Sequence, residues 1–263
     1  SLYPNTILGQ DIAGSVDSIE KITVNDLKDN FDCFYRPANC HLVLVGDFDV
    51  EDVYTFVNEK QSGFTLPERI VEKEKNPIES DIQKLDSLQM EIFISKLAIG
   101  FKSVPFTDNR MRENILVQLL FNLLFGWTSP YYQNWYAEGK IDESVSIEYE
   151  VSNRYSFVVM TMDTAEPIRM SSLIRQVMTS ADKKRLLTEE ALDLQKKALY
   201  GEFLRSLDNI QNLGSQYLAY FENDKTYFDF GQELMSITSK DLKDFLNHYL
   251  SNIEITDFVV FPK

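Results

Sequence analysis

From Val145 to Val151 the chain alternates Val, Ile, Tyr and Val with Ser146, Glu148 and Glu150. That period of two is what a half-buried strand needs, because successive side chains leave opposite faces. Ser152-Asn153 turns the chain into a second strand, Tyr155 to Met162. Upstream, Lys96 to Val104 reads as a strand, and Arg110 to Phe125 as a buried helix ended by Gly126. Pro167 suits the first turn of a helix running to about residue 181, and Thr188 caps a long helix that carries Glu189 and Glu190 in its first turn. Leu192, Leu199, Phe203, Leu207, Ile210, Gly214, Tyr217 and Phe221 form the apolar stripe of that helix. The order β-α-β-β-α-α-α-β predicts an α+β unit in which helices cover one face of a largely antiparallel sheet.

The same grammar occurs twice. Ile22, Thr23, Asp26, Leu27, Lys28 and Asp29 recur as Ile237, Thr238, Asp241, Leu242, Lys243 and Asp244, at a constant offset of 215. Each Thr is placed to cap a helix whose third residue is an Asp at the positive end of the dipole. Each helix is followed by a β-rich run, Leu42-Val43-Leu44-Val45 and Phe258-Val259-Val260-Phe261. Six identities in register with one order of elements indicate a duplication. Residues 23 to 46 should therefore superpose on 238 to 261 as helix, turn and strand. With a unit of about 215 residues, the chain reads as the tail of one unit over 1–65, a charged connector over 66–86 that contains Pro67 and Pro77, and a complete second unit over 87–263.

Composition narrows the function. With 44% hydrophobic residues the chain is not disordered, and 26 basic against 41 acidic residues give a net charge of −15 and no basic patch, which excludes a nucleic-acid binder. The one long apolar run, Ile115 to Trp127, is broken by Gln118 and Asn122 and is shorter than the ~20 residues a membrane span needs, so no membrane partner is expected. The segment from Ser1 to Thr6 has neither the basic nor the apolar part of an export signal, and the expected compartment is the cytoplasm. Cys33 and Cys40 are too few and too close for a disulfide framework or a zinc knuckle and read as reduced structural thiols.

Zinc hydrolysis needs three protein ligands, an open position and an acid to activate water. The chain has two histidines, His41 and His248, 207 residues apart, and no zinc motif. His41 begins a predicted strand and His248 lies near a helix C-terminus, so both read as structural. No Ser or Cys nucleophile is paired with a base, and the glycines form neither phosphate-binding fingerprint.

A family resemblance follows from particular blocks. Tyr3-Pro4-Asn5, Leu8-Gly9, Gly14, Ile19, Ile22-Thr23-x-x-Asp26-Leu27, Phe34-Tyr35-x-Pro37-x-Asn39 and Val45-Gly46-Asp47-Phe48 resemble the end of the first domain of the pitrilysin/insulinase zinc metallopeptidases, in the bacterial processing-peptidase-like branch. Leu123-Leu124-Phe125-Gly126-x-x-Ser129, then Tyr132-x-x-Trp135-Tyr136-x-x-Gly139, resemble the next domain. The resemblance implies tandem α+β metallopeptidase-like domains, with the inverted zinc motif and its third Glu ligand upstream of Ser1 and therefore zinc in that portion and no cofactor in this one. It also implies an Arg and a Tyr that hold the substrate carbonyl, but Tyr136 and Glu143 stand at those two positions.

The expected function is that of the non-catalytic part of a zinc peptidase, enclosing and positioning a peptide or unfolded polypeptide, with the N-terminal half of the same protein or a paralogous subunit as partner. A catalytically inactive homologue that serves as a binding or assembly subunit, or an acidic interaction domain unrelated to peptidases, are the other readings. The candidate substrate-binding residues are Tyr132, Trp135, Tyr136, Glu138 and Asp142, with no catalytic or metal-binding residue. Tyr131, Tyr132, Trp135 and Tyr136 either line a peptide-binding wall or pack a short helix on the sheet. Glu138, Asp142, Glu143, Glu148 and Glu150, against Lys140 alone, either attract basic peptides or form a solvated face.

Overall fold

The computed structural model describes residues 1–63, 77–152, 154–180, 183–221 and 225–263, so most of the expected connector and the turn residue Asn153 lie outside the described residues. The helices are α1 (Val16–Ile19), α2 (Val24–Phe34), α3 (Val50–Gln61), α4 (Arg110–Phe125), α5 (Pro130–Ala137), α6 (Pro167–Thr179), α7 (Lys183–Leu186), α8 (Glu189–Leu207), α9 (Ile210–Tyr220), α10 (Phe230–Ser236) and α11 (Ser239–Asn252). The strands are β1 (Leu85–Met90), β2 (Lys96–Ser103), β3 (Ser146–Val151), β4 (Ser156–Asp163) and β5 (Glu254–Pro262). Two compact units result. The larger comprises the described residues of 1–10, 77–203 and 229–263, and the smaller those of 11–63 and 204–228.

The larger unit is an α+β fold around a five-stranded sheet in the order β1-β5-β2-β4-β3. The pair β1/β5 is parallel and the other three pairs are antiparallel. Alternation assigns the faces: Leu97, Ile99 and Phe101 on β2, Val158, Met160 and Met162 on β4, and Val259 on β5 are buried toward the helices. Helix α4 fills the core because it is apolar nearly all round. Phe121 meets Phe101 edge-on at 5.1 Å and Tyr249 of α11 at 5.8 Å. Each such side chain contributes roughly 1.5–3 kcal/mol by leaving water. On the opposite face of the sheet, Leu2 lies against Gly100 so closely that a Cβ there would come within 2.9 Å of its side chain. The segment is held by Ser80 Oγ donating to Pro4 O at 2.9 Å and by Gln83 N donating to Ser1 O at 2.9 Å.

Two expectations from the sequence change here. The apolar stripe from Leu192 to Phe221 is not one helix: α8 ends at Leu207, and Asn209 starts α9 by accepting from Asn212 N at 3.1 Å. A capping side chain two residues past a helix end outweighs the continuity of the stripe. The strand β1 was not legible, because Leu85, Leu88 and Met90 do not alternate.

The repeat recurs in part. Thr23 caps α2 by accepting from Asp26 N at 3.2 Å while Thr23 N donates to Asp26 Oδ2 at 2.8 Å. Thr238 caps α11 with the same two distances. The strands differ: residues 254–262 form β5, but Leu42–Val45 belong to no strand. The expected superposition therefore holds for the helix and its cap and fails for the strand. A run of β-prone residues becomes a strand only where a neighbour accepts its hydrogen bonds, and β5 has two such neighbours. In the smaller unit Leu42 and Leu44 are exposed, as are Leu27, Phe31 and Phe34 of α2 at 61%, 59% and 43%. Their counterparts at the 215-residue offset, Leu242, Leu246 and Tyr249, are each 0% exposed.

Candidate functional site

The short helix α5 positions the aromatic group. Ser129 caps it, its Oγ accepting from Tyr131 N at 3.2 Å and donating to Leu124 O, and Pro130 occupies the first turn. Helical spacing then pairs i with i+4 on two different faces. Tyr131 stacks on Trp135 at 6.1 Å, and Trp135 stacks on Phe125 of the core at 6.4 Å. Trp135 is 6% exposed, so it anchors the helix and presents nothing to a ligand. Tyr132 and Tyr136 stack at 6.1 Å with their planes 13° apart, Tyr136 being exposed and Tyr132 half-buried. Gly139, at φ 68°, then turns the chain toward β3, a conformation that a Cβ disfavours.

Acids gather beside the tyrosine pair. Tyr132 Oη donates to Asp142 O at 3.4 Å, and its hydroxyl pKa is raised first by burial and then by Tyr136, Glu143 and Asp142. The Asp142 carboxylate accepts from Ser144 N at 2.8 Å and is held below the usual range, mainly by Ser144. Glu138 is ion-paired with Lys140, which lowers its pKa. Glu148 and Glu150 are exposed on the edge strand β3, opposite Val159 and Phe157 of β4 and on the same face as those two. Lys96, bound to Asp163 at 2.7 Å, faces this surface as well. Tyr132, Tyr136, Asp142 and Glu143 are thus brought together, Glu138 is committed to a neighbouring cation, and Trp135 points inward.

Beside β3, the sheet face away from the helices is a trough. One part of it, about 340 Å³, is lined by Leu2, Tyr3, Gly100, Phe157, Val159 and Phe258. The lining is apolar, as an extended chain held by backbone and apolar contacts requires. The residue that sequence reasoning passed over is Glu113, the single acid of α4, buried at 1% exposure among apolar side chains. Its signal is an acid in a helix otherwise read as core.

Among the described residues no three His, Cys, Asp or Glu side chains converge. His248 Nε2 lies 3.3 Å from Val104 O, and His41 meets Phe221 edge-on at 5.8 Å. Zinc does not fit this donor set. Among the described residues no helix is long and apolar enough to cross a membrane.

Similarity to known proteins agrees with the fold. The chain is 30% identical over 268 residues to the uncharacterized zinc protease YmfH of Bacillus subtilis, an alignment that covers 100% of this chain and 62% of that protein. The crystal structure of an M16-like peptidase from Alicyclobacillus acidocaldarius matches with a TM-score of 0.84 at 24% identity, covering 100% of this chain and 63% of that one. The peptidase M16 inactive domain from Pseudomonas fluorescens matches with a TM-score of 0.79 at 16% identity, again over 100% and 63%. The chain therefore spans less than two thirds of the length of these relatives. The family model described as the peptidase M16 inactive domain matches residues 21–199, and on that match the chain belongs to the M16 peptidase family as its inactive domain.

Proposed function

We propose that this chain is the non-catalytic portion of a two-part zinc peptidase, which encloses and positions peptide substrates while a separate portion, the N-terminal half of the same protein or a paralogous subunit, carries the metal. The observation that carries this reading is the uncovered apolar face of Leu27, Phe31 and Phe34, whose counterparts in the second copy of the repeat are sealed in a core. Relatives supply a length argument. The matched 268 residues are 62% of zinc protease YmfH, so about 160 of its residues lie outside the match. The segment that precedes α11 in the complete copy, Leu85 to Thr238, is 154 residues. A portion of that size and kind would cover α2 and give Leu42–Val45 the two flanking strands that β5 has. The division drawn from the sequence, with 1–65 as the tail of one domain and 87–263 as the next, is part of this proposal.

The peptide-facing surface is assigned to the Tyr132/Tyr136 pair, Asp142 and Glu138, continued by Glu148 and Glu150 on β3, with Trp135 as its anchor in the core. Rigid aromatics contact an extended chain at low entropy cost, and the carboxylates favour basic side chains over a range of about 8 Å at physiological salt.

The test is hydrolysis of a fluorogenic basic peptide by the chain alone and with the metal-carrying portion added. Alone it should cleave nothing and hold no stoichiometric zinc, and the mixture should cleave. Leu27→Asp with Phe31→Asp should abolish the gain, whereas cleavage by the chain alone, or a mixture indifferent to those changes, would overturn the proposal.

A further inference from the structure

The repeat extends upstream of its caps. At the offset of 215 residues, α1 falls within α10 and α2 within α11. One element earlier in the second copy comes α9, and its last five residues, 216–220, correspond to residues 1–5. Each of these matched segments lies with the strand run of the other copy. The described residues of 204–228, α9 among them, belong to the smaller unit with Leu42–Val45, whereas residues 1–10 belong to the larger unit with β5. In the smaller unit α9 meets the extended run at Gly214, where a Cβ would stand 3.7 Å from the side chains of Val43 and Val45. At the offset, those two valines become Phe258 and Val260 of β5, which face away from the helices because Val259 between them faces inward. Phe258 lines the trough beside Leu2 and Phe157, and a continuation of about 280 Å³ runs along Ala98 to Val260. Residues 1–5 sit on this same face: Leu2 lies against Gly100, and Tyr3, 4% exposed, meets Phe157 at 5.9 Å and Tyr155 at 6.3 Å.

We propose that the open sheet face of the larger unit is a seat for one helix, the counterpart of α9, supplied by the N-terminal portion of the same protein, so that each copy of the repeat lends a helix to the sheet face of the other. That helix ends in residues 1–5 and comprises six further positions upstream of Ser1, to match the 11 residues of α9. Residues 1–5 are not helical by themselves, since five residues are too few to nucleate a helix.

The dimensions of the face suit a helix. Strands β5, β2 and β4 are neighbours, so the outer two stand about 10 Å apart, and a helix with its side chains is about 10 Å wide. On the middle strand Ala98 lies between Phe258 and Thr161, and Gly100 between Thr256 and Val159, so the smallest side chains run down the centre and leave a groove. In the smaller unit a glycine likewise stands at the point of contact, on the helix instead of the strand. A helix bonds its own backbone and asks only apolar contact of strands that already pair with one another. The seat rests on the two-part reading of the protein, though not on zinc or on a peptide substrate.

Thiol labelling tests the seat. In a chain with Cys33→Ser and Cys40→Ser, Ala98→Cys puts a thiol in the groove, and Phe93→Cys puts one at a fully exposed position between β1 and β2. Two chains are compared, one beginning at Ser1 and one that also carries the about 20 residues preceding Ser1 in the full-length protein, enough for the helix and its cap. Modification of the Ala98→Cys thiol by a maleimide should be at least about tenfold slower in the longer chain, as occupancy of about nine-tenths requires, while the Phe93→Cys rate stays the same. Amide exchange in the added residues next to Ser1 should show helical protection. If Ala98→Cys does not fold, Val159→Cys on the wall of the groove gives the same readout. Equal rates in the two chains, or slowing while the added amides exchange freely, would overturn the seat. So would an unrelated basic peptide that slows the shorter chain as much as the extension does, since the groove would then be a peptide site. The seat and the two-part peptidase fail separately: cleavage by the mixture with equal thiol rates removes the seat alone, and a slowed thiol without cleavage removes the peptidase alone.

Discussion

Helices α2 and α11 begin with the same residues in the same order and close their first turn with the same reciprocal pair of hydrogen bonds, yet one displays its apolar stripe and the other buries it. What they share is local: a Thr and an Asp three residues apart satisfy two backbone donors whatever lies alongside the helix. What they do not share is supplied by other segments. Phe245 and Tyr249 of α11 are sealed by Phe106 and Phe121, whereas the ring contact that Phe31 of α2 makes among the described residues is with Tyr35, one turn along the chain. Helix initiation is thus written in about six residues, and burial in segments far away in sequence.

The widest separation is expected from truncating matched positions of the two stripes. Leu246→Ala should cost about 3 kcal/mol, because the site is closed and the cavity cannot collapse fully. Phe31→Ala, at the corresponding position of α2, should cost less than about 0.5 kcal/mol, as exposed substitutions do. Urea denaturation of the two variants checks this, with amide exchange in α2 and α11 to separate the units. A Phe31→Ala cost equal to that of Leu246→Ala would show that the α2 stripe is covered and would break the comparison. Addition of the metal-carrying portion should raise the Phe31→Ala cost toward the Leu246→Ala value, and so sharpen it.

The caps should behave alike where the stripes do not. Thr238→Ala is expected to cost about 1 kcal/mol, and Thr23→Ala should loosen the first turn of α2 to a similar extent. Exchange at Asp26 and Asp241, whose backbone N–H groups the two hydroxyls accept, reports each cap separately. A cap that matters in α11 alone would mean that tertiary packing, and not the Thr-Asp pair, holds the turn.

How far the sequence could be read follows the same division. The alternation from Ile147 to Val151 and the apolar density of Ile115 to Phe125 determine which faces meet the core, and both became elements as expected. Leu42-Val43-Leu44-Val45 has the composition of a strand, but composition does not supply neighbours to accept its hydrogen bonds. Leu85–Met90 is the converse, a weak pattern made into a strand by pairing with β5. In the candidate site, the stacking of Tyr132 on Tyr136 is a consequence of i, i+4 spacing and was legible. The inward turn of Trp135 was not, because it depends on how the chain leaves α4 after Phe125. Glu113 was passed over, because its burial and its hydrogen bond from Phe106 N depend on how other segments pack around α4.

The smallest effect expected concerns the two cap carboxylates. Asp26 and Asp241 are both held below the ordinary Asp range, first by hydrogen bonds from Thr23 and Thr238, the former from its backbone and the latter from its side chain. A depressed carboxylate stabilises the fold above its unfolded pKa and loses that contribution as pH falls through the folded value, so both caps should weaken on acidification below about pH 4 and neither at neutral pH. Asp241 differs in one respect: Arg112 lies 3.2 Å from it and pulls its pKa down further. Nuclear magnetic resonance titration of the two side-chain carboxyls should therefore show both midpoints depressed, with only that of Asp241 rising on added salt or on Arg112→Met. Equal salt responses would mean that the Arg112 pair is too solvated to count, and the two copies of the repeat would then be electrostatically as well as geometrically the same at their caps.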